Sequence, residues 1–331
     1  MYQKILENRG KLFSVAPMMD WTDRHCRYFH RQLSQRSLLY TEMVVADALI
    51  HGDVGRHLDF DECENPVALQ LGGSDPAKLA KAARIASHWN YDEINLNVGC
   101  PSDRVQSGVF GACLMKEPDL VARCVAALKQ VSQVPVTVKC RLGVDDQDTQ
   151  TALDDVAGMT FEAGCDALWV HARKAWLQGL SPKQNRDVPP LDYERVRRLK
   201  MDWPDRFIGL NGGLETLEAA LPHLDWADGV MLGRAAYQTP RLLLDVDAKI
   251  YDEPKARISD EEICETMMAY TAAHLSRGGR VNHVTRHMIG LFAGQPGARM
   301  YRRILSVEAV ERGADEKTIA RAFAALEPMP A

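Results

Sequence analysis

Eight short runs of apolar, β-forming residues recur between residues 13 and 233, and they constrain the fold of this 331-residue chain more than any other feature. Segments such as 75–89 and 119–131 separate them, with apolar residues at helical i, i+3, i+4 spacing. Strands that alternate with helices predict right-handed βαβ units around a parallel sheet. Eight units is the number in a (β/α)8 TIM barrel, an α/β fold. The runs are FSVAPM (13–18), LLYTEM (38–43), VALQL (67–71), EINLNV (93–98), VTVKC (136–140), ALWVHA (167–172), FIGLN (207–211) and GVMLG (229–233).

The region after the eighth run has a different pattern. Residues 242–257 end in a charged, proline-containing connector, and residues 258–331 carry helical apolar faces without strand signals. One of these predicted helical faces comprises Met288, Leu291 and Phe292. We therefore predict a TIM-barrel catalytic domain over 1–241, a connector over 242–257 and a small all-α helical domain over 258–331. An open doubly wound sheet is disfavoured because no G-x-G-x-x-G motif follows the first run.

Composition excludes several classes of protein. Hydrophobic residues make up 46% and charged residues 26%, which excludes disordered, collagen-like and coiled-coil chains. The net charge of −5 excludes a uniformly basic surface but permits a local basic face. The eight cysteines form no C-x-x-C pair and no ligand-spaced cluster, so we predict free thiols and no metal site. No secretory h-region and no apolar run of about 18 residues occur, so we predict a cytoplasmic protein without a membrane partner.

Polar residues stand at the carboxyl ends of all eight predicted strands. In a TIM barrel these positions meet at one rim, which is where active sites lie. A single polar residue at a strand end is ordinary, but its recurrence on every strand favours a functional site. The residues are Asp20, Glu42, Gln70, Asn97, Lys139 with Arg141, His171 with Arg173, Asn211 and Arg234.

Two glycine-containing turns follow the last two strands, Asn211-Gly212-Gly213 and Gly233-Arg234. Loops in these positions of a barrel commonly bind phosphate, because bare backbone N–H groups can approach an anion. An arginine adds a bidentate contact to the phosphate. The alternative is that both are only tight βα turns.

Lys139 has three possible roles at the end of the fifth strand. A Schiff-base lysine needs desolvation or a neighbouring cation, and Arg141 and His171 could supply the latter. With His171 and Gln70, Lys139 could equally donate hydrogen bonds to an electron-rich heterocycle such as a flavin. The third role is an ion pair at the rim. The local sequence leaves these roles open.

Cys100 lies between Gly99 and Pro101 in a turn directly after the fourth strand. The other seven cysteines are predicted to be small buried apolar residues. A thiol nucleophile requires a neighbouring base, and none is adjacent in sequence. A thiol without special neighbours is mostly protonated at neutral pH, which suits a general acid. The polar, glycine-containing segment from Cys100 to Gly111 is typical of a mobile lid.

Two basic regions indicate a large anionic partner. Residues 266–307 contain no Asp or Glu but six arginines, of which Arg299 and Arg302 lie at helical spacing near Tyr301. The long loop 178–192 carries Lys183 and Arg186. Such a surface is typical of phosphate contacts in nucleic-acid binding, whereas a merely solvated helix face usually mixes both charge signs.

These motifs, taken together and in order, resemble those of the tRNA-dihydrouridine synthase family over roughly residues 13–305. The runs that start at Met19, His171 and His287 resemble its synthase A branch. The family motifs are Ala16-Pro17-Met18, Gln70-Leu71-Gly72, Asn95 to Pro101 with Gly111-Ala112, Val138-Lys139, His171-Ala172-Arg173, Asn211-Gly212-Gly213 and Gly233-Arg234.

The resemblance implies an FMN enzyme that uses NADPH to reduce uridine to 5,6-dihydrouridine in the tRNA D-loop. For this branch it implies positions 20 and 20a, with binding at the D-loop and elbow. Hydride is expected to pass from flavin N5 to uracil C6, and a proton from Cys100 to C5.

The resemblance also implies a role for each matched residue. Those expected to line the flavin are Pro17, Met18, Met19 and Gln70, and those expected to contact its ring are Lys139 and His171. Its phosphate is expected to bind at Asn211, Gly212, Gly213, Gly233 and Arg234. Asn97 is expected to face the uridine. The expected tRNA contacts are Lys183, Arg186, Arg299 and Arg302.

Three alternative functions follow from parts of the same pattern. A Schiff-base aldolase that uses Lys139 would explain a phosphate site but neither Cys100 nor the basic helices. A non-catalytic RNA-binding module would bind tRNA without oxidising NADPH. A flavin reductase of a small free pyrimidine leaves the acid-free stretch unexplained.

Overall fold

A computed structural model describes residues 1–102, 110–254 and 258–326 of the chain. Its nine parallel strands run in the order β2-β1-β9-β8-β7-β6-β5-β4-β3, and an additional β2–β4 pairing closes the sheet into an eight-membered barrel. The two-residue β3 lies beside the end of β4, with Val44 opposite Leu71. The predicted TIM barrel is therefore confirmed. The strands are β1 Leu12–Val15, β2 Leu38–Tyr40, β3 Val44–Val45, β4 Val67–Gly72, β5 Glu93–Val98, β6 Val136–Arg141, β7 Ala167–His171, β8 Phe207–Asn211 and β9 Gly229–Leu232.

Fifteen α-helices occur in the described residues. None of them combines the length and the apolar character needed to cross a membrane. They are α1 Tyr2–Glu7, α2 Arg24–Leu33, α3 Ala46–His51, α4 Val54–Leu58, α5 Pro76–Ala86, α6 Pro118–Lys129, α7 Thr149–Glu162, α8 Tyr193–Asp202, α9 Leu217–Ala220, α10 Arg234–Gln238, α11 Val246–Tyr251, α12 Asp260–Ser276, α13 Val281–Thr285, α14 Ala298–Ser306 and α15 Lys317–Ala324.

Helix starts follow from local chemistry. Before α5, the Asp75 carboxylate accepts hydrogen bonds from the backbone N–H groups of Ala77 at 2.8 Å and Lys78 at 3.2 Å. Pro76 opens the helix, where a missing N–H costs nothing. Before α12, Ser259 and Glu262 form a reciprocal capping box. These contacts satisfy N–H groups that the first helical turn leaves without partners.

The barrel interior is filled by side chains. Trp169 on β7 is fully buried and lies in a cluster with Phe207 and Tyr2. A Cβ atom on Gly209 would lie 2.1 Å from Trp169 Cε3, and one on Gly229 would lie 2.8 Å from Trp169 Cη2. The indole therefore requires glycine on both β8 and β9. The barrel is a packed core, and its functional groups must lie at its ends.

The chain divides into two compact units. The first comprises Met1–Met19 with Leu38–Gly233, and the second comprises Asp20–Ser37 with Arg234–Ala331. Helix α2 thus belongs to the same unit as the C-terminal helices, whereas the sequence predicts it within the barrel domain. The predicted division into a catalytic domain that ends at 241 and a helical domain that begins at 258 stays a prediction.

The second unit has a core of edge-to-face aromatic rings. Tyr301 is fully buried, and its ring centroid lies 4.9 Å from that of Phe292 and 5.5 Å from that of Phe323. The predicted helical face around Met288 is wrong as secondary structure, because residues 286–297 form successive turns. Backbone bonds there span three residues, such as Leu291 N–H to Met288 C=O at 3.0 Å. Three glycines and a proline in this stretch disfavour a continuous helix.

Candidate active site

The strand register places the predicted polar residues side by side at the carboxyl rim of the barrel. Asn97 on β5 is opposite Lys139 on β6. His171 on β7 is opposite Arg141 on one side and Asn211 on the other. The expectation that strand-end polar groups converge is therefore met within the first unit for these five residues.

Lys139 is held by a neighbouring amide at this rim. Its Nζ donates a 2.9 Å hydrogen bond to Asn211 Oδ1, and Asn211 Nδ2 donates at 2.7 Å to the Met231 carbonyl of β9. Burial, and then the positive charge of Arg141, lower the pKa of Lys139 to about 8. The amine therefore loses its proton more readily than an ordinary lysine, and its position is fixed.

A chain of side-chain amides connects β4 to β5. Asn97 Nδ2 donates to Gln70 Oε1 at 2.7 Å, and Gln70 Nε2 donates to Asn95 Oδ1 at 2.8 Å. Asn97 Oδ1 also accepts from the backbone N–H groups of Gly99 at 3.1 Å and Cys100 at 2.9 Å. Asn97 therefore shapes the turn that carries Cys100, a role beyond the predicted contact with substrate.

Cys100 is half-buried at the start of the loop that follows β5. Its Sγ lies 3.4 Å from Ser102 Oγ, and its carbonyl accepts from Ala112 N–H at 2.9 Å. Arg141 Nε donates to the Gly99 carbonyl at 2.9 Å. The turn is thus fastened on both sides of the thiol. Residues 103–109, within the predicted lid, lie outside the described residues.

Arg141 and Asn185 have structural roles that the sequence analysis missed. Buried Arg141 donates from Nη1 to the Lys174 carbonyl at 3.0 Å and to the Asn185 carbonyl at 2.9 Å. The Asn185 side chain in turn accepts from Trp176 N–H at 2.7 Å and donates to Trp176 C=O at 2.8 Å. These bonds order the long loop 178–192 against the rim. The only sequence signal was the position of Arg141 at a strand end.

His171 has an unsatisfied polar atom. Its Nε2 is buried and has no hydrogen-bond partner among the described residues. Burial, followed by the charges of Arg141 and Lys139, lowers the pKa of His171 well below its usual value, so the imidazole is neutral. A Cβ on Gly212 would lie 2.9 Å from this nitrogen. Buried polar atoms without partners are rare, and they indicate a place for a ligand.

The two glycine-containing turns after β8 and β9 differ in whether the structure requires glycine there. Gly212 has φ of +107° and Gly213 φ of +68°, a backbone conformation that favours glycine. A Cβ on Gly233 would make only an ordinary 3.5 Å contact with Met18 Sδ. Backbone conformation therefore explains the glycines of the first turn, whereas nothing described within the chain requires glycine at 233.

The remaining predicted residues lie on the surface or in the second unit. Pro17 and Met18 are half-buried after β1, and Met19 is 53% exposed. Lys183 and Arg186 are exposed on the ordered loop. In the second unit, half-buried Arg234 opens α10, and α14 exposes its arginines while Tyr301 is buried. Tyr301 therefore packs in the core. The exposed arginines of α14 are Arg299, Arg302 and Arg303.

Most of the chain matches a known protein family. Residues 14–326 match the Dihydrouridine synthase (Dus) family. The chain belongs to the dihydrouridine synthase family. The matched region includes all the strands of the barrel except the first two residues of β1, and it covers the described helices of the second unit.

Relatives of this family member align over nearly their whole length. A protein of Shewanella oneidensis is 54% identical over 321 residues, covering 97% of this chain and 96% of the relative. Proteins of Vibrio parahaemolyticus and Escherichia coli K12 are each 54% identical over 312 residues, covering 94% of this chain and 95% and 90% of those relatives. Each of the three is described as tRNA-dihydrouridine(20/20a) synthase.

Proposed function

We propose that this dihydrouridine synthase reduces uridine to 5,6-dihydrouridine at positions 20 and 20a of tRNA, with FMN as its cofactor and NADPH as the reductant. The described function of the 54% identical relatives supports the substrate. The observation that carries the cofactor is the unpartnered Nε2 of His171 beside the fixed ammonium group of Lys139.

The rim has the donor set that a flavin requires. An electron-rich ring with carbonyl and imine acceptors needs N–H donors and a nearby positive charge. Lys139 and Gln70 carry such donors, and the tautomer of His171 with hydrogen on Nε2 supplies a third. Gly212 leaves space next to that nitrogen, because a Cβ there would clash with the imidazole. The flavin phosphate is assigned to the turns after β8 and β9, namely Asn211, Gly212, Gly213, Gly233 and Arg234.

The chemistry of reduction divides between the cofactor and the chain. When bound, the flavin supplies a hydride for C6 of the uracil. Cys100 supplies the proton for C5 from its thiol, held by the turn that Asn97 and Arg141 fasten. One Nδ2 hydrogen of Asn97 is committed to Gln70, and the other is available to a uracil carbonyl. Pro17, Met18 and Met19 supply apolar surface for the ring system.

Binding of tRNA also needs cations that contact its phosphate backbone. The target uridine must leave its stack, which costs a few kcal/mol that phosphate contacts offset. Lys183 and Arg186 are exposed on a loop that Arg141 and Asn185 order, so they lose little freedom on binding. Arg299 and Arg302 project from α14 within the acid-free stretch. We assign these four residues to the tRNA backbone.

A Schiff-base aldolase is the second candidate, because one observation favours it. The pKa of Lys139 is lowered to about 8, as covalent catalysis by an amine requires. However, Lys139 Nζ donates to Asn211, and the relatives are described as synthases. Borohydride treatment with small aldehydes or ketones distinguishes the two, since only the aldolase would be trapped covalently at Lys139.

The direct test uses an unmodified tRNA transcript with uridine at positions 20 and 20a. We expect the FMN-loaded protein with NADPH to form dihydrouridine at both positions, mapped by nuclease digestion and mass spectrometry. A transcript with cytidine at these two positions is the matched control and should gain none there. Dihydrouridine elsewhere, with both positions unchanged, would contradict the assigned site. A protein that takes up no FMN would contradict the cofactor.

A second experiment tests the tRNA surface. The double variant Arg299→Ala with Arg302→Ala should bind tRNA more weakly and reduce the slope of log K against log salt by about one unit per lost phosphate contact. Arg84→Ala on α5, an exposed arginine of the first unit, is the control and should leave the slope unchanged. An unchanged slope in the double variant would place the tRNA elsewhere.

A further inference from the structure

Three histidines from distant parts of the sequence meet within the second unit. His25 lies in the first turn of α2, His274 in the last turn of α12 and His283 in α13. One ring nitrogen of each lies within 4.8 Å of the corresponding nitrogen of the other two. We propose that these three histidines bind a divalent transition-metal ion of the zinc type and thereby fasten α2 to α12 and α13.

The separation of two of the nitrogens fits a shared ion. His274 Nε2 and His283 Nδ1 are 3.1 Å apart. A tetrahedral zinc ion with Zn–N bonds of about 2.0 Å separates two ligand nitrogens by about 3.3 Å. The His25 ring centroid lies 4.4 Å from that of His274. Binding one ion requires the other nitrogen pairs, which are separated by up to 4.8 Å, to approach to about 3.3 Å. The fourth position is left for water.

A second contact orients His25 as metal ligands are oriented in other proteins. Its Nδ1 lies 2.8 Å from Tyr270 Oη, and the Tyr270 ring stacks on Tyr28 with 3.8 Å between centroids. Ligating histidines commonly donate their second ring N–H to an oxygen acceptor, which fixes the tautomer. With hydrogen on Nδ1, the lone pair of His25 is on Nε2.

The protonation states favour metal binding. Burial, together with the charges of His274, His287 and Arg24, lowers the pKa of His25 to about 3, although Asp23 acts to raise it. Burial first, and then neighbouring cationic groups, also lower the pKa values of His274 and His283. An environment that disfavours protonated imidazoles leaves their nitrogen lone pairs for an ion. The nearby arginines oppose a dication, which favours a site of moderate affinity.

The sequence predicts no metal site, because its cysteines form no ligand-spaced pattern. The three histidines carry no such signal, since His25 and His274 are brought together only by the tertiary fold. Neutral imidazoles without a thiolate or carboxylate ligand favour Zn²⁺, Co²⁺, Ni²⁺ or Cu²⁺ over Mg²⁺ and Ca²⁺.

The test uses the full-length, tag-free protein after treatment with a chelator, with Co²⁺ as a spectroscopic probe and Zn²⁺ as competitor. We expect visible absorption of four- or five-coordinate Co²⁺ that saturates at one equivalent and disappears when Zn²⁺ is added. The variant His283→Ala removes an exposed ligand and should abolish this signal. The control His88→Ala removes an exposed histidine of the first unit and should leave it intact.

Two further variants keep the outcome decisive if His283→Ala folds poorly. Tyr270→Phe deletes only the orienting hydroxyl and should weaken Zn²⁺ binding by about 10- to 100-fold. His283→Asp keeps an oxygen ligand near the position of Nδ1 and should retain part of the Co²⁺ signal. The proposal is overturned if wild-type protein shows no saturable Co²⁺ spectrum, or if the spectrum and affinity are the same in His283→Ala as in wild type.

Discussion

Strand β5 begins at Glu93 within the base of the barrel and ends near Asn97 at the opposite rim, so a single strand passes through two polar environments. Both environments are built from side chains of the first unit. At the base, every polar group of the Glu93 cluster has a partner within the protein. At the rim, a buried polar atom such as His171 Nε2 has no hydrogen-bond partner among the described residues, so it can bind a ligand.

The base is a fully satisfied hydrogen-bond network, and Asn95 links it to Gln70 at the rim. The Glu93 carboxyl accepts from the hydroxyls of Tyr2, Tyr40 and Thr137, with the Tyr40 contact at 2.6 Å. Thr137 Oγ1 in turn accepts from Asn95 Nδ2 at 2.7 Å. Burial raises the pKa of Glu93 to about 7, against the lowering effect of these donors. A network of this kind specifies the packing of a core and offers nothing to a ligand.

The rim concentrates positive charge around unsatisfied atoms. Lys139, Arg141 and Arg173 all contribute to the lowered pKa of His171, whose Nε2 has no partner among the described residues. Keeping such groups together costs folding free energy. The difference indicates that the base contributes stability and that the rim sacrifices some stability for binding. Substitutions at the two ends should therefore have opposite consequences.

The largest expected effect is on turnover at the rim. Cys100→Ala removes the proposed proton donor, and loss of a general acid slows reactions by about 10²- to 10⁴-fold. FMN binding and reduction by NADPH should be unchanged, because the turn at residue 100 is held by backbone atoms. Rapid-mixing measurement of flavin oxidation by tRNA separates the two steps.

Exposed Cys63→Ala is the control for this substitution and should behave as wild type. Wild-type rates of dihydrouridine formation in Cys100→Ala would remove the proton-donor role. An equal loss of flavin binding would instead make Cys100 part of the structural framework, as the residues at the base are.

The second effect is on stability at the base. The pKa of Glu93 is about 7 in the folded protein and near 4.5 when exposed, so its contribution is fully present below pH 4.5 and is lost as pH rises through 7. Glu93→Gln stays neutral and escapes this loss. The free energy of unfolding of wild type relative to Glu93→Gln should fall by about 3 kcal/mol between pH 4.5 and 8.

Urea unfolding at a series of pH values measures this difference. Glu7→Gln, at an exposed position on α1, should parallel wild type at every pH. If the difference between wild type and Glu93→Gln does not change with pH, the carboxyl titrates normally and its buried network at the base does not shift its pKa.

Most of the fold followed from local sequence signals. Strand runs such as 93–98 and 207–211 coincide with β5 and β8, because a buried parallel strand is a continuous apolar run between turn residues. Local patterns do not record which distant segments share a core. Helix α2 belongs with the C-terminal helices, and nothing in residues 24–33 indicated that.

The site residues that lie at the carboxyl ends of strands could be predicted from the sequence. Lys139, His171 and Asn211 were identified because they end strands that must meet at one rim. The bonds of Arg141 to a loop more than 40 residues away were not, because the sequence gives no sign of long-range side-chain partners. The same limit applies to the histidine cluster of the second unit.

The smallest expected effect is on the folding free energy that burial of Lys139 at the rim costs. The pKa of Lys139 is about 8 in the folded protein and 10.5 when the side chain is exposed in the unfolded chain. Its neutral form therefore contributes stability above pH 10.5, and this contribution is lost as pH falls through 8. At pH 7 the buried ammonium therefore disfavours folding. Lys139→Met removes this cost but also the hydrogen bond to Asn211, which is worth about 1 kcal/mol.

The lowered pKa corresponds to a cost of about 3 kcal/mol at pH 7, so we expect cofactor-free Lys139→Met to be more stable than wild type by about 2 kcal/mol. This advantage should shrink toward pH 10. Its affinity for FMN, measured by fluorescence titration, should be about tenfold weaker because a charged hydrogen bond is lost. Lys81→Met, at an exposed site on α5, should change neither property. A cofactor-free Lys139→Met that is much less stable than wild type would mean that the rim, like the base, holds the barrel together. The contrast between the two ends would then lie only in their charge.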